Sequence, residues 1–167
     1  MKTTECYQTL LCNSGKLAEY ALQEALERDE WYPYFGFWAI SLDIDHVFSI
    51  CPTLETINSI AKIKGVGVTK MLAFDYYKLH KDADRGVGIN MLLQHKNSFC
   101  AFVDTEKNKT TQLDYQSNTM YLFNTQVSHT VFNFEEDRYM FTVEFEDTLK
   151  LLPYRALVKM LSKESII

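Results

Sequence analysis

From Val66 onward the sequence passes through seven short β-prone runs: VGVTKMLAFDYYKLH, VGINMLLQ, SFCAFVD, TTQLDY, TMYLFN, HTVFNF and RYMFTVEFE. Each is rich in β-branched or aromatic residues, and polar or glycine-bearing turns separate them. Little helical sequence lies between them, so repeated βαβ units are excluded and an antiparallel sandwich or barrel is predicted. The alternation is clearest in RYMFTVEFE. Tyr139, Phe141, Val143 and Phe145 fall on one face, which can pack under helices, and Arg138, Met140, Thr142 and Glu144 fall on the other, facing the inside of a barrel.

Helices are predicted ahead of this region. SGKLAEYALQEALER places Leu17, Ala21, Leu22, Ala25 and Leu26 on one face, with Ser14 as N-cap. CPTLETINSIAKIKG has Pro52 in a first turn, a stripe of Leu54, Ile57 and Ala61, and Gly65 as its stop. Between them WYPYFGFWAISLDI, broken by Pro33 and Gly36, reads as a loop entering a buried strand. TLKLLPYRALVKMLSK closes the chain as a helix that Pro153 interrupts. The expected architecture is one domain over 1–167, mainly β, with helices packed on one side.

Composition narrows the function. With 167 residues, 47% of them hydrophobic, the chain can bury a substantial core. A net charge of −5 without a Lys/Arg cluster disfavours nucleic acid as partner. No apolar run reaches the roughly 20 residues that span a bilayer. The N-terminal stretch lacks the pattern of a secretory signal, and Cys6, Cys12, Cys51 and Cys100 are scattered without a Cys-x-x-Cys pair. Reduced thiols in a cytoplasmic protein are the expectation. GVGVTK lacks the spacing of a phosphate-binding loop. His46 and His95 have no partners at useful spacing.

Chemistry concentrates around YYKLHKDADRGVGIN. His80 and Asp82 are two residues apart near the end of a β-run, on one face, and His129 can join them if the sheet folds back. Two imidazoles and one carboxylate on one side of an octahedron leave positions open, as in non-haem Fe(II) oxygenases. Zn2+ can occupy the same three ligands, which would give a hydrolase or isomerase. A plain surface turn around Lys81, Asp84 and Arg85, and a hydrogen-bonded strand histidine at 129, need no metal. Arg138 shifts the balance. A guanidinium opening an apolar strand is costly to bury unpaired, and its fork suits a carboxylate supplied by a ligand. Arg85 can reach an acidic group on a substrate or stay in a solvated turn. Asn133 shares the parity of His129 and can bond behind it.

The order His-x-Asp, then His-x-Val-x-Asn at 129–133, then Arg138, resembles the Fe(II)/2-oxoglutarate-dependent dioxygenase superfamily. Within it, FNTQVSHTVFNFEEDRYMFTVEF is similar to the corresponding block of the aspartyl/asparaginyl β-hydroxylase-like branch, which includes free-proline hydroxylases. The likeness runs from about Tyr76 to Phe145, and the helical first portion does not carry it. It implies a double-stranded β-helix, the cupin-like jelly roll, with the N-terminal helices on one sheet. It implies His80, Asp82 and His129 as iron ligands, Arg138 on the distal carboxylate of 2-oxoglutarate, O2 as second co-substrate and hydroxylation of an unactivated C–H bond. The substrate would be a small molecule such as an amino acid, or a protein side chain. A cupin-like binding protein without oxidation is the other class. In some relatives the arginine is followed by Arg-x-Ser, but Met140 stands there, so the hydroxyl partner must come from elsewhere. Strand parity with His80 selects Tyr76 and turns Tyr77 away. Some aspartyl β-hydroxylases lack the triad carboxylate, whereas Asp82 is present.

Overall fold

A computed structural model describes residues 1–95, 97–146 and 153–167. It contains α1 (Thr3–Cys6), β1 (Tyr7–Thr9), α2 (Gly15–Glu27), β2 (Tyr32–Tyr34), β3 (Phe37–Ser41), α3 (Ile44–Ile50), α4 (Pro52–Ile60) and β4 (Ile63–Met71). There follow β5 (Tyr76–His80), β6 (Val87–Gln94), β7 (Phe99–Asp104), β8 (Lys109–Leu113), β9 (Tyr121–Asn124), β10 (His129–Phe132), β11 (Arg138–Phe145) and α5 (Tyr154–Lys163). Every strand pair is antiparallel. One sheet has the order β1-β9-β6-β11-β4-β3-β2 and the other β5-β10-β7-β8.

Two cores follow from the alternation along the strands. On the outer face of the large sheet, Tyr139, Phe141, Val143 and Phe145 of β11 join Leu17, Ala18, Ala21 and Ala25 of α2 and Leu54 and Ile57 of α4. A smaller core of Met71, Cys100, Phe102, Leu113, Phe123 and Val131 lies between the sheets. The opposite face of β11 looks into that interior, as its parity predicts.

Several local expectations are corrected. Ser14 is the N-cap residue of α2, but its hydroxyl donates to the Asn118 carbonyl at 2.5 Å and makes no capping bond, and Leu26 is exposed while Ala18 is buried. Gly65 stops no helix: α4 ends at Ile60 and Gly65 lies inside β4. The run from Val66 to His80 splits into β4 and β5, which join different sheets. The aromatic block forms a hairpin whose turn, Phe35 and Gly36, has φ of 47° and 89°. Of the closing helix, residues 148–152 lie outside the described residues, and the helix begins after Pro153. Among the described residues no helix is long and apolar enough to cross a membrane.

Candidate metal centre and its cavity

The edge of the small sheet sets the centre. β10 lies between β5 and β7, and its first residue, His129, pairs with His80, the last of β5. The chain then turns and the Asp82 amide donates to the Thr125 carbonyl at 3.1 Å, bringing the carboxylate back over both rings. His80 Nε2 lies 3.2 Å and His129 Nε2 3.8 Å from Asp82 Oδ1. One donor atom from each residue fits within a mutual spacing of 4.8 Å.

Both imidazoles are oriented from behind. His80 Nδ1 donates to the Lys78 carbonyl at 2.8 Å and His129 Nδ1 to the Val127 carbonyl at 2.9 Å. With the proton on Nδ1, each Nε2 turns a lone pair inward, the arrangement typical of metal-bound histidine. Burial pushes His129 well below the ordinary histidine range and the neighbouring His80 adds to it, against the Val127 carbonyl and Asp82, which raise it. Two imidazole Nε2 atoms and a carboxylate oxygen gathered at one point are ligand types that a divalent ion takes. The donor set therefore fits a divalent ion.

The centre opens into a cavity of about 350 Å³. Tyr34, Phe35 and Phe37 of the hairpin form one wall. Phe37 packs on Tyr77 at 4.7 Å between ring centroids, and Tyr77 meets His80 edge-on at 4.4 Å. Arg138 is 1% exposed and stands behind the cavity wall rather than in its lining. Its Nη2 meets Tyr115 Oη at 3.4 Å and Met140 Sδ at 3.2 Å, and both of those residues line the cavity. Its Nε is buried without a hydrogen-bond partner, and among the described residues no carboxylate pairs with the guanidinium.

Sequence parity misplaces one residue. Tyr76 is 66% exposed and stacks on Phe132 on the outer face, whereas Tyr77 lines the cavity. The cause is a bulge. His129 pairs with His80 but Val131 with Tyr77, so two residues of β5 oppose Thr130 alone and the parity flips between Tyr77 and His80. The hydroxyl beside Arg138 belongs instead to Tyr115, the last residue of the run TTQLDY, which lies just past the end of β8. Asn133 bonds away from the triad, donating to the carbonyls of Leu72 and Glu136 at 2.8 Å. Arg85 lines the cavity, but its Nε already donates to Asp82 Oδ2.

Solved structures share this architecture. A Pseudomonas putida prolyl-4-hydroxylase matches with a TM-score of 0.60 at 14% identity, over 83% of this chain and 91% of the other. A Trichoplax adhaerens prolyl hydroxylase, solved with a hypoxia inducible factor peptide fragment, matches with a TM-score of 0.64 at 14% identity, over 84% and 83%. A viral collagen prolyl hydroxylase from Paramecium Bursaria Chlorella virus-1, in complex with 2OG, matches with a TM-score of 0.54 at 13% identity, over 85% and 97%. The fold is that of the 2-oxoglutarate oxygenases. It is the expected double-stranded β-helix, with helices on the large sheet. No protein-family model and no curated protein matches the chain. The aspartyl/asparaginyl β-hydroxylase branch is not singled out by these likenesses.

Proposed function

We propose that the protein is an Fe(II)- and 2-oxoglutarate-dependent dioxygenase that hydroxylates an unactivated C–H bond. The observation that carries this reading is the convergence of His80, Asp82 and His129, each imidazole fixed by a backbone carbonyl so that its Nε2 faces Asp82 Oδ1. His80, Asp82 and His129 would hold the iron, which with 2-oxoglutarate and O2 supplies the oxidising chemistry. The chain's own residues bind, orient and keep water out. Arg138 would grip the distal carboxylate, for which its orphaned Nε and weakly partnered Nη2 are prepared. Tyr115 would add a hydroxyl to the same carboxylate. Tyr34, Phe35, Phe37 and Tyr77 form the dry side over the triad, where the substrate would lie.

A buried carboxylate clamp separates this reading from a Zn-dependent hydrolase or a cupin-like binder, neither of which requires one. A small molecule such as an amino acid, or a protein side chain, would be the substrate, acting in a cytoplasmic setting. The test is succinate release from 2-oxoglutarate by the Fe(II)-loaded protein, with and without candidate substrates. Stimulated, iron-dependent release is expected. Failure of 2-oxoglutarate to bind the metal-loaded protein would remove the reading.

A further inference from the structure

We propose that Arg85 is a positioning residue for the metal centre, holding Asp82 by one carboxylate oxygen so that only the other faces the imidazoles. The inference rests on the metal-binding reading above and adds what sets the geometry of its carboxylate.

Asp82 divides its two oxygens between different partners. Oδ1 looks toward both Nε2 atoms, at 3.2 and 3.8 Å, while Oδ2 accepts from Arg85 Nε. A carboxylate free to turn can chelate a cation through both oxygens and fill an extra coordination position. One whose second oxygen is already bonded presents a single ligand atom, and positions stay open for other molecules.

Arg85 is itself held. Its carbonyl accepts from Thr125 Oγ1 and, at 2.8 Å, from Gln126 Nε2, and the same amide donates to the Asp82 carbonyl at 2.9 Å. Thr125 and Gln126 belong to the turn that leads into His129, so one set of bonds ties the two ligand-bearing segments together. Beyond them Arg85 Nη1 lies 3.9 Å from Glu144 Oε1, and Lys64 Nζ lies 3.5 Å from Glu144 Oε2. Alternating charges thus run from β4 through β11 to the carboxylate of the centre.

The sign of one measurement decides the matter. Arg85 is a cation beside a cation site, so by Coulomb's law alone its removal should tighten metal binding. Positioning demands the opposite. Metal-free protein is titrated with Mn2+, the free ion being followed by electron paramagnetic resonance. Wild type should bind one ion per chain. Arg85→Met should bind about ten- to a hundredfold more weakly, the usual effect of losing a partner behind a metal ligand. Arg85→Lys should recover part of the loss, because its ammonium can donate to the same oxygen. Glu144→Gln should weaken binding by a smaller factor. Circular dichroism of the metal-free variants reports on folding. If Arg85→Met does not fold, Arg85→Lys and Glu144→Gln carry the comparison, and wild-type affinity in both overturns the proposal. Equal or tighter Mn2+ binding by folded Arg85→Met also overturns it and leaves the metal centre standing. A wild-type protein that takes up no Mn2+ removes the centre itself.

Discussion

His129 has its ring against Phe123 and Phe102, at 5.0 and 6.1 Å between centroids, and its Nδ1 proton on the Val127 carbonyl. Burial there pushes its pKa down to about 4. In the metal-free protein, at pH values between that and the ordinary 6.5, the unfolded chain carries a proton that the folded chain does not. Stability is therefore full above 6.5 and falls as the pH drops through the window, by on the order of 3 kcal/mol across it. Urea midpoints between pH 7.5 and 5 should show this slope, and His129→Gln should flatten it; the same slope in both proteins would refute the assignment. Arg138 poses the opposite problem, a charge that cannot be neutralised. Tyr115 offers it a long hydrogen bond and a ring face at 5.6 Å, and the Tyr115 hydroxyl itself donates to Met140 Sδ at 3.8 Å, a weak bond that an incoming carboxylate would replace. Tyr115→Phe keeps the ring and removes that donor. It should raise the Kd for 2-oxoglutarate on the Mn2+-loaded protein about three- to tenfold, the worth of one hydrogen bond. Calorimetric titration giving an unchanged Kd would take Tyr115 out of the anion seat.

At the scale of elements, close approach and irregular pairing decide what alternation alone cannot. Gly67 of β4 pairs with Ser41 of the neighbouring β3, and a Cβ there would lie well inside van der Waals contact with the Ile40 carbonyl oxygen. Gly65, two residues earlier, would meet nothing within 4 Å. Gly67→Ala should therefore cost about 1–3 kcal/mol in urea denaturation, as overpacking does, while Gly65→Ala should be close to neutral. Equal losses would mean that the β3–β4 contact is not the constraint. The same contrast explains what the sequence discloses. In β11 the pairing with β4 is regular from Arg138 to Glu144, so parity alone placed Arg138, Met140 and Thr142 on the interior face. In β5 the bulge opposite Thr130 reverses the parity in three residues, and the reading that chose Tyr76 over Tyr77 failed there. Ser14 had the spacing of a cap, but a carbonyl 104 residues away took its hydroxyl. His80, Asp82 and His129 were legible because residue type and order carry them. Tyr115 and the bonds of Arg85 were not, because they depend on which loops meet.

Taken whole, the molecule divides the proposed co-substrate site between its two sheets. The triad sits at the edge of the small sheet, on β5, the loop after it and β10, whereas Arg138 and Met140 project from β11 in the large one. A diacid that chelates the metal at one end and meets the guanidinium at the other would bridge the sheets across the inter-sheet core. Its effect on stability should depend on the metal, because the guanidinium alone offers only half of the contacts. Mn2+ should raise the melting temperature by itself. 2-Oxoglutarate with chelator should change it little, and the two together should raise it beyond Mn2+ alone. At a hundred times its Kd the co-substrate contributes about 2.7 kcal/mol, which for a domain of this size is roughly 5–10 °C. Glutarate, which keeps both carboxylates but lacks the keto oxygen, should give a smaller shift because it can hold the clamp without chelating the metal. An equal rise with 2-oxoglutarate in the presence of chelator would place the anion somewhere other than between the sheets. A rise with Mn2+ that 2-oxoglutarate does not extend would leave the triad as a metal site and Arg138 without the ligand proposed for it.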